Sequence, residues 1–88
     1  MPRLNWTIIS SNVQEAREQL EEIEASLAKG ERPSPGRLEA LIAHAYHHLN
    51  SAWNARCAPM REYRSLTDAK FNEWGRFPTE LELPALER

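Results

Sequence analysis

The chain has 88 residues, of which 41% are hydrophobic and 27% are charged, and its formal net charge is −2. This length predicts one domain with a thin core, and the balanced composition argues against disorder along most of the chain. The mild charge gives no reason to expect non-specific binding to nucleic acid or to a membrane surface.

The first predicted helix spans residues 5–29. Its apolar residues recur at alternating spacings of three and four, which places them on one face of a helix. Good helix formers fill the positions between them. The residues of this stripe are Trp6, Ile9, Val13, Ala16, Leu20, Ile23 and Leu27.

The two ends of this helix carry different signals. Lys29 suits the negative end of the helix dipole, and Gly30 is typical of the residue just past a helix. Asn5 is the favoured N-cap because the stripe already includes Trp6. A later start, with residues 4–9 extended and a cap within residues 10–12, stays open, so the sequence does not decide the conformation of residues 4–11.

The second predicted helix spans residues 35–57. Ser34 as N-cap and Pro35 at the first helical position form a typical start, and Pro59 cannot continue the helix. The short connection between the two helices predicts an antiparallel hairpin. The face of this helix consists of Leu38, Leu41, Ile42, Ala45, Leu49, Ala52 and Arg56, flanked by Tyr46 and Trp53.

A short third helix is predicted over residues 66–74. The run from Ser65 to Asp68 resembles a capping box, and Gly75 is the expected stop. Phe71 and Trp74 are three residues apart and are expected to be buried together. The predicted fold is therefore all-α, with one helical domain over residues 1–78 and an acidic, poorly ordered tail over residues 79–88.

The apolar arc of the second helix is too wide for one neighbouring helix. Leu41 and Trp53 lie about 120° apart on the helical wheel, and Tyr46 widens the arc further. Two helices share one seam, so part of this surface needs another cover. We therefore predict a homodimer in the form of a four-helix bundle.

Three histidines form a cluster on the second helix. His44 and His48 are four residues apart and share a face, which is the spacing at which a helix presents two imidazoles to one metal ion. His47 points about 100° away. Alternatively, His44 and His48 border the core and form hydrogen bonds, or they make a pH-dependent contact. Further metal ligands would come from Glu15, Glu18 or Glu22, or from a second subunit.

Two asparagines, Asn50 and Asn54, lie one turn apart around Trp53. Asparagine is a poor helix former, so the pair suggests a specific task. They either bind the chain after Pro59 as it folds back, or form a polar contact across a dimer, or bind a ligand. The residues predicted as interaction candidates are Tyr46, His47, Asn50, Trp53, Asn54 and Arg56.

The segment 56–76 mixes aromatic residues with five basic and three acidic side chains. Its net charge of +2 is too small for strong binding to phosphates, so nucleic-acid binding is expected to be weak at most. Cys57 has no partner for an internal disulfide, which favours a reducing compartment. Its place near a helix C-terminus disfavours a reactive thiolate.

No catalytic motif, cofactor fingerprint or phosphate-binding loop is evident, so an enzyme is not the favoured interpretation. The favoured function is a small noncatalytic homodimeric module that binds another protein. Alternatives are a metal-binding protein or small metal-dependent enzyme that uses His44 and His48, and a weak nucleic-acid binder that uses residues 56–76. The lack of a signal peptide and of a long apolar stretch predicts a cytoplasmic protein without a membrane span.

Overall fold

The computed structural model describes residues 3–79, which form two long helices followed by two short ones. The long helices are α1, Trp6–Ala28, and α2, Pro35–Asn54. The short helices are α3, Met60–Arg64, and α4, Asp68–Trp74. No strand occurs within this range, so the predicted all-α fold is confirmed. Of the predicted tail, all but residue 79 lies outside the described residues.

α1 and α2 form the predicted antiparallel hairpin. Arg37 binds Glu22 close to the connection, with an N–O distance of 2.6 Å. Farther from the connection, His48 of α2 lies next to Asn12 of α1. At the far end, the chain beyond α2 meets the start of α1. The chain therefore reverses its direction at residues 29–34.

The predicted starts of the two long helices are confirmed by their caps. The Asn5 side chain accepts a hydrogen bond from the Ile8 backbone amide at 3.3 Å, so α1 takes the earlier of its two possible starts. The Ser34 hydroxyl accepts from the Arg37 amide at 3.1 Å. Gly30 has a φ of +77°, a left-handed conformation that favours glycine and ends the first helix.

α2 ends three residues earlier than predicted, because a turn at Ala55 replaces its last residues. The Asn5 backbone amide donates to the Arg56 carbonyl at 2.6 Å. The Asn5 side chain donates to the Ala58 carbonyl at 2.9 Å. Asn5 therefore caps α1 and also binds the chain that follows α2 through two hydrogen bonds.

The prediction missed α3 and misplaced the start of α4. Pro59, expected only to stop α2, is the N-cap of α3. Ser65 ends α3 instead of starting the next helix, and Thr67 caps α4 by accepting from the Lys70 amide at 3.2 Å. A five-residue helix has almost no periodic signal, and packing rather than propensity stabilises it.

The core of the described residues is small. Its buried apolar side chains larger than alanine are Ile8, Leu41 and Trp74, together with the ring of Pro78. Trp74 stacks on Tyr63, with ring centroids 5.5 Å apart. Phe71 is not buried with Trp74 as predicted, because it remains 48% exposed and faces α2 instead. The remaining buried apolar residues are Ala16, Ala45 and Ala55.

The C-terminal end of α4 approaches α2 closely at Gly75. A Cβ atom at this position would lie 2.3 Å from Nδ1 of His47 and 3.2 Å from the Phe71 carbonyl oxygen. The His47 ring cannot easily yield, because it stacks on Phe71 with ring centroids 4.0 Å apart. Gly75 is therefore a packing requirement.

The substitution Gly75→Ala is expected to lower the free energy of unfolding by about 1–3 kcal/mol, as overpacking does. Urea titration followed by circular dichroism measures this change. Gly36→Ala is the matched control, because a Cβ there meets nothing within 4 Å. In that helical position alanine is expected to stabilise by about 0.5–1 kcal/mol. Equal stability of the two variants would contradict the close approach.

Candidate functional site

The predicted pair of histidines lies beside a carboxylate of α1. The Nε2 atoms of His44 and His48 are 3.0 Å apart. Oε2 of Glu15 lies 3.8 Å from Nε2 of His48. One donor atom from each of the three residues can be chosen so that all lie within 4.8 Å of one another. His47, which the sequence placed on a different face, packs against Phe71.

Asn12 is a buried residue that forms a hydrogen bond with His48 of this cluster, and only 2% of its surface is exposed. Its side-chain amide group donates to the Ile8 carbonyl and to the Tyr63 hydroxyl, each at 3.0 Å. Its Oδ1 lies 2.9 Å from Nδ1 of His48. Asn12 therefore joins α1, α2 and α3 through one side chain.

The surroundings of His47 and His48 favour the neutral forms of these two rings. Burial lowers the pKa of His48, and the nearby His44 lowers it further. Glu15 and Glu18 act in the opposite direction but do not outweigh these effects. Burial is also the main cause that lowers the pKa of His47. Near neutral pH, both rings are therefore mainly uncharged.

Asn50 and Asn54 hold the chain that returns after α4. The Asn50 side chain donates to the Gly75 carbonyl at 2.9 Å. The Asn54 side chain donates to the carbonyls of Trp74 and Arg76, at 2.8 Å and 2.7 Å. Binding of a folded-back backbone is one of the roles that the sequence left open for this pair.

The remaining interaction candidates lie near the end of α2. Tyr46 is 49% exposed. The Arg56 guanidinium carbon lies 3.9 Å from the centroid of the Trp53 ring, and its Nη1 donates to the Trp53 carbonyl at 2.8 Å. A groove of about 290 Å³ opens here between the helices. It is lined by Leu4, Trp6, Ile9, Leu49, Ala52, Trp53 and Arg56.

The hairpin carries a continuous set of exposed apolar side chains on one side. The predicted apolar stripe of α1 divides into two rows along the helix. Ile9, Ala16 and Ile23 face α2, whereas the stripe residues at positions 6, 13, 20 and 27 face outward. Each exposed member of the set has between 42% and 66% of its surface accessible. We call this set the apolar face: Trp6, Val13, Leu20, Leu27, Leu38, Ile42, Tyr46 and Leu49.

Carboxylates within the segment 56–76 pair with one of its basic side chains. Lys70 forms ion pairs with Glu62 and Glu73, at 3.1 Å and 3.4 Å. The hydrogen bond to Glu62, followed by that to Glu73, raises the pKa of Lys70. These partners reduce the positive field that phosphates would meet. Cys57 is exposed in the turn after α2.

The sequence did not identify Asn12 and Tyr63 as parts of the cluster. The signal that could have identified Asn12 was an asparagine on the core side of an amphipathic helix, four residues after Ile8.

No helix formed by the described residues is long and apolar enough to cross a membrane. Comparison with protein-family models, with curated proteins and with solved structures finds no match to this chain.

Proposed function

We propose that this chain is a noncatalytic interaction module that pairs with a second copy of itself through the apolar face. The two hairpins form a four-helix bundle, in which the seam between copies is built from α1 and α2 of both. The single observation that carries this proposal is the apolar face itself, which runs along both long helices.

The size of the apolar face fits an interface between proteins. The eight side chains together expose an area on the order of 800 Å², which is what each partner contributes to an interface of standard size. The largest apolar patch of a typical monomer measures about 300–600 Å². The proposed face therefore exceeds what an isolated soluble domain usually shows to water.

A second copy is the occupant that best suits the face. Trp6, Val13, Leu20 and Leu27 follow a spacing of seven, which is the spacing of a seam between packed helices. The small core gives the chain a further reason to bury apolar area against a partner.

The substitution Ile42→Glu is expected to convert the dimer into a monomer, because it introduces a charge into the centre of the buried seam. The matched control is Leu66→Glu. Leu66 lies outside the apolar face and is 51% exposed, against 49% for Ile42. Sedimentation equilibrium across a concentration series measures the association constant of each variant.

We expect the wild-type chain and Leu66→Glu to associate equally, and Ile42→Glu to remain monomeric with unchanged helical content. A wild-type chain that is monomeric at high micromolar concentration would refute the proposal. So would a dimer that Ile42→Glu leaves intact, because the copies would then meet through a different surface.

A further inference from the structure

We propose that Glu15, His44 and His48 bind one divalent transition-metal ion, with Zn²⁺ as the preferred occupant. Two imidazole nitrogens and one carboxylate oxygen are donors that zinc commonly takes in proteins. The three residues come from two packed helices, so the hairpin itself brings the donors together. This site does not depend on the proposed dimer.

The distances match those between ligands of one ion. Two nitrogens bound at about 2.0–2.1 Å to a tetrahedral zinc lie about 3.3 Å apart. The Nε2 atoms of His44 and His48 are 3.0 Å apart, and the Glu15 oxygen is 3.8 Å from Nε2 of His48. These separations lie on both sides of the ideal value, so small rotations of exposed side chains complete the geometry.

The hydrogen bonds of Asn12 determine which nitrogen of His48 is free to bind. The Ile8 carbonyl only accepts, so the Asn12 amide group must face it and Oδ1 must face His48. Because Oδ1 also only accepts, Nδ1 of His48 carries the proton. In the neutral ring the lone pair therefore lies on Nε2, the atom that points at His44.

This arrangement has the form that metal-binding histidines usually show. One ring nitrogen faces the ion, and the other donates to a fixed acceptor that holds the ring in place. Asn12 is fixed in turn by Tyr63 and by the backbone of α1.

The site has open positions and faces away from the apolar face. Three protein donors leave at least one position of a tetrahedral ion for water or for a ligand in solution. Glu15 follows Val13 by two residues, and His44 lies two residues from Ile42, so each is about 200° around its helix from the apolar face. Metal binding and self-association therefore use opposite sides of the hairpin.

Isothermal titration calorimetry with Zn²⁺ tests this site on tag-free protein stripped of metal by a chelator. We expect one ion per chain. Glu15→Gln replaces the carboxylate with a neutral amide, and His44→Gln removes the imidazole; both side chains are exposed. Because changes even to supporting residues commonly weaken binding about 10–100-fold, each is expected to lower the zinc affinity at least ~10-fold.

The matched controls are Glu18→Gln and His47→Gln, which change the same residue types on the same helices outside the donor set. Both are expected to keep the wild-type affinity, and so is the monomeric variant Ile42→Glu. Co²⁺ in place of Zn²⁺ is expected to give the visible absorption of a four-coordinate ion, lost in His44→Gln. No saturable binding, or equal weakening by His47→Gln and His44→Gln, would overturn the site.

Discussion

The substitution Trp74→Ala is expected to cost about 3–5 kcal/mol of the free energy of unfolding, as the truncation of a buried aromatic side chain does. A domain of 88 residues has roughly 4–13 kcal/mol in total. The loss is therefore expected to remove about a fifth of the stability or more. Urea titration followed by circular dichroism measures it.

The large effect follows from the position of Trp74 in a small core. It is 5% exposed and packs with Ile8 of α1 and Ala55 after α2. Tyr63 of α3 stacks on its ring. The Trp74 side chain thus connects α1, α3 and α4 with the turn that follows α2.

Phe77→Ala is the control for this prediction. Phe77 is also a large aromatic residue of the C-terminal segment, but 44% of its surface is exposed. Its truncation is expected to cost less than about 1 kcal/mol. A loss below about 1 kcal/mol for Trp74→Ala as well would show that α3 and α4 unfold separately from the hairpin and do not belong to one cooperative unit.

The local signals of the sequence predicted the long helices well. Asn5 and Ser34 cap their helices through short-range hydrogen bonds that the neighbouring residues alone determine. Gly30 ends α1 for a reason that is equally local. The short connection then leaves little choice except an antiparallel hairpin. Asn50 and Asn54 hold the returning chain, which is one of the three roles that the sequence left open for this pair.

The predictions that failed depended on contacts between distant residues. The stripe of α1 gave the direction of an apolar arc, but periodicity cannot distinguish the half that meets α2 from the half that stays exposed. Ile8 and Asn12 are buried because Tyr63 and Trp74, more than 50 residues later, cover them. Phe71 was expected in the core, yet its place was decided by His47 of another helix.

The candidate metal site was predictable only in part, because one of its three residues comes from a different helix. The spacing of His44 and His48 is local, so the sequence shows that they share a face. Glu15 belongs to the other helix, and only the relative shift of α1 and α2 decides which carboxylate reaches the histidines. The structure selects Glu15 among the three candidates of α1.

The substitution Asn12→Ala is expected to lower the free energy of unfolding by about 2–3 kcal/mol. It leaves Nδ1 of His48 and the Tyr63 hydroxyl without their partner, and an unsatisfied buried polar group costs about 1–3 kcal/mol. Urea titration in the presence of a chelator measures this loss without a contribution from bound metal. The same variant is expected to bind Zn²⁺ about 10–100-fold more weakly, although all three donors remain.

Tyr63→Phe separates the two roles of Asn12. It deletes only the hydrogen bond at 3.0 Å between the Tyr63 hydroxyl and Asn12, and leaves Nδ1 of His48 paired. Its expected cost is about 0.5–1.5 kcal/mol, with little change in zinc affinity. If Asn12→Ala were no more destabilising than Tyr63→Phe, the bond to His48 would add nothing to stability. Unchanged zinc binding in Asn12→Ala would show that Asn12 does not orient the His48 ring, and the donors would then act without a buried support.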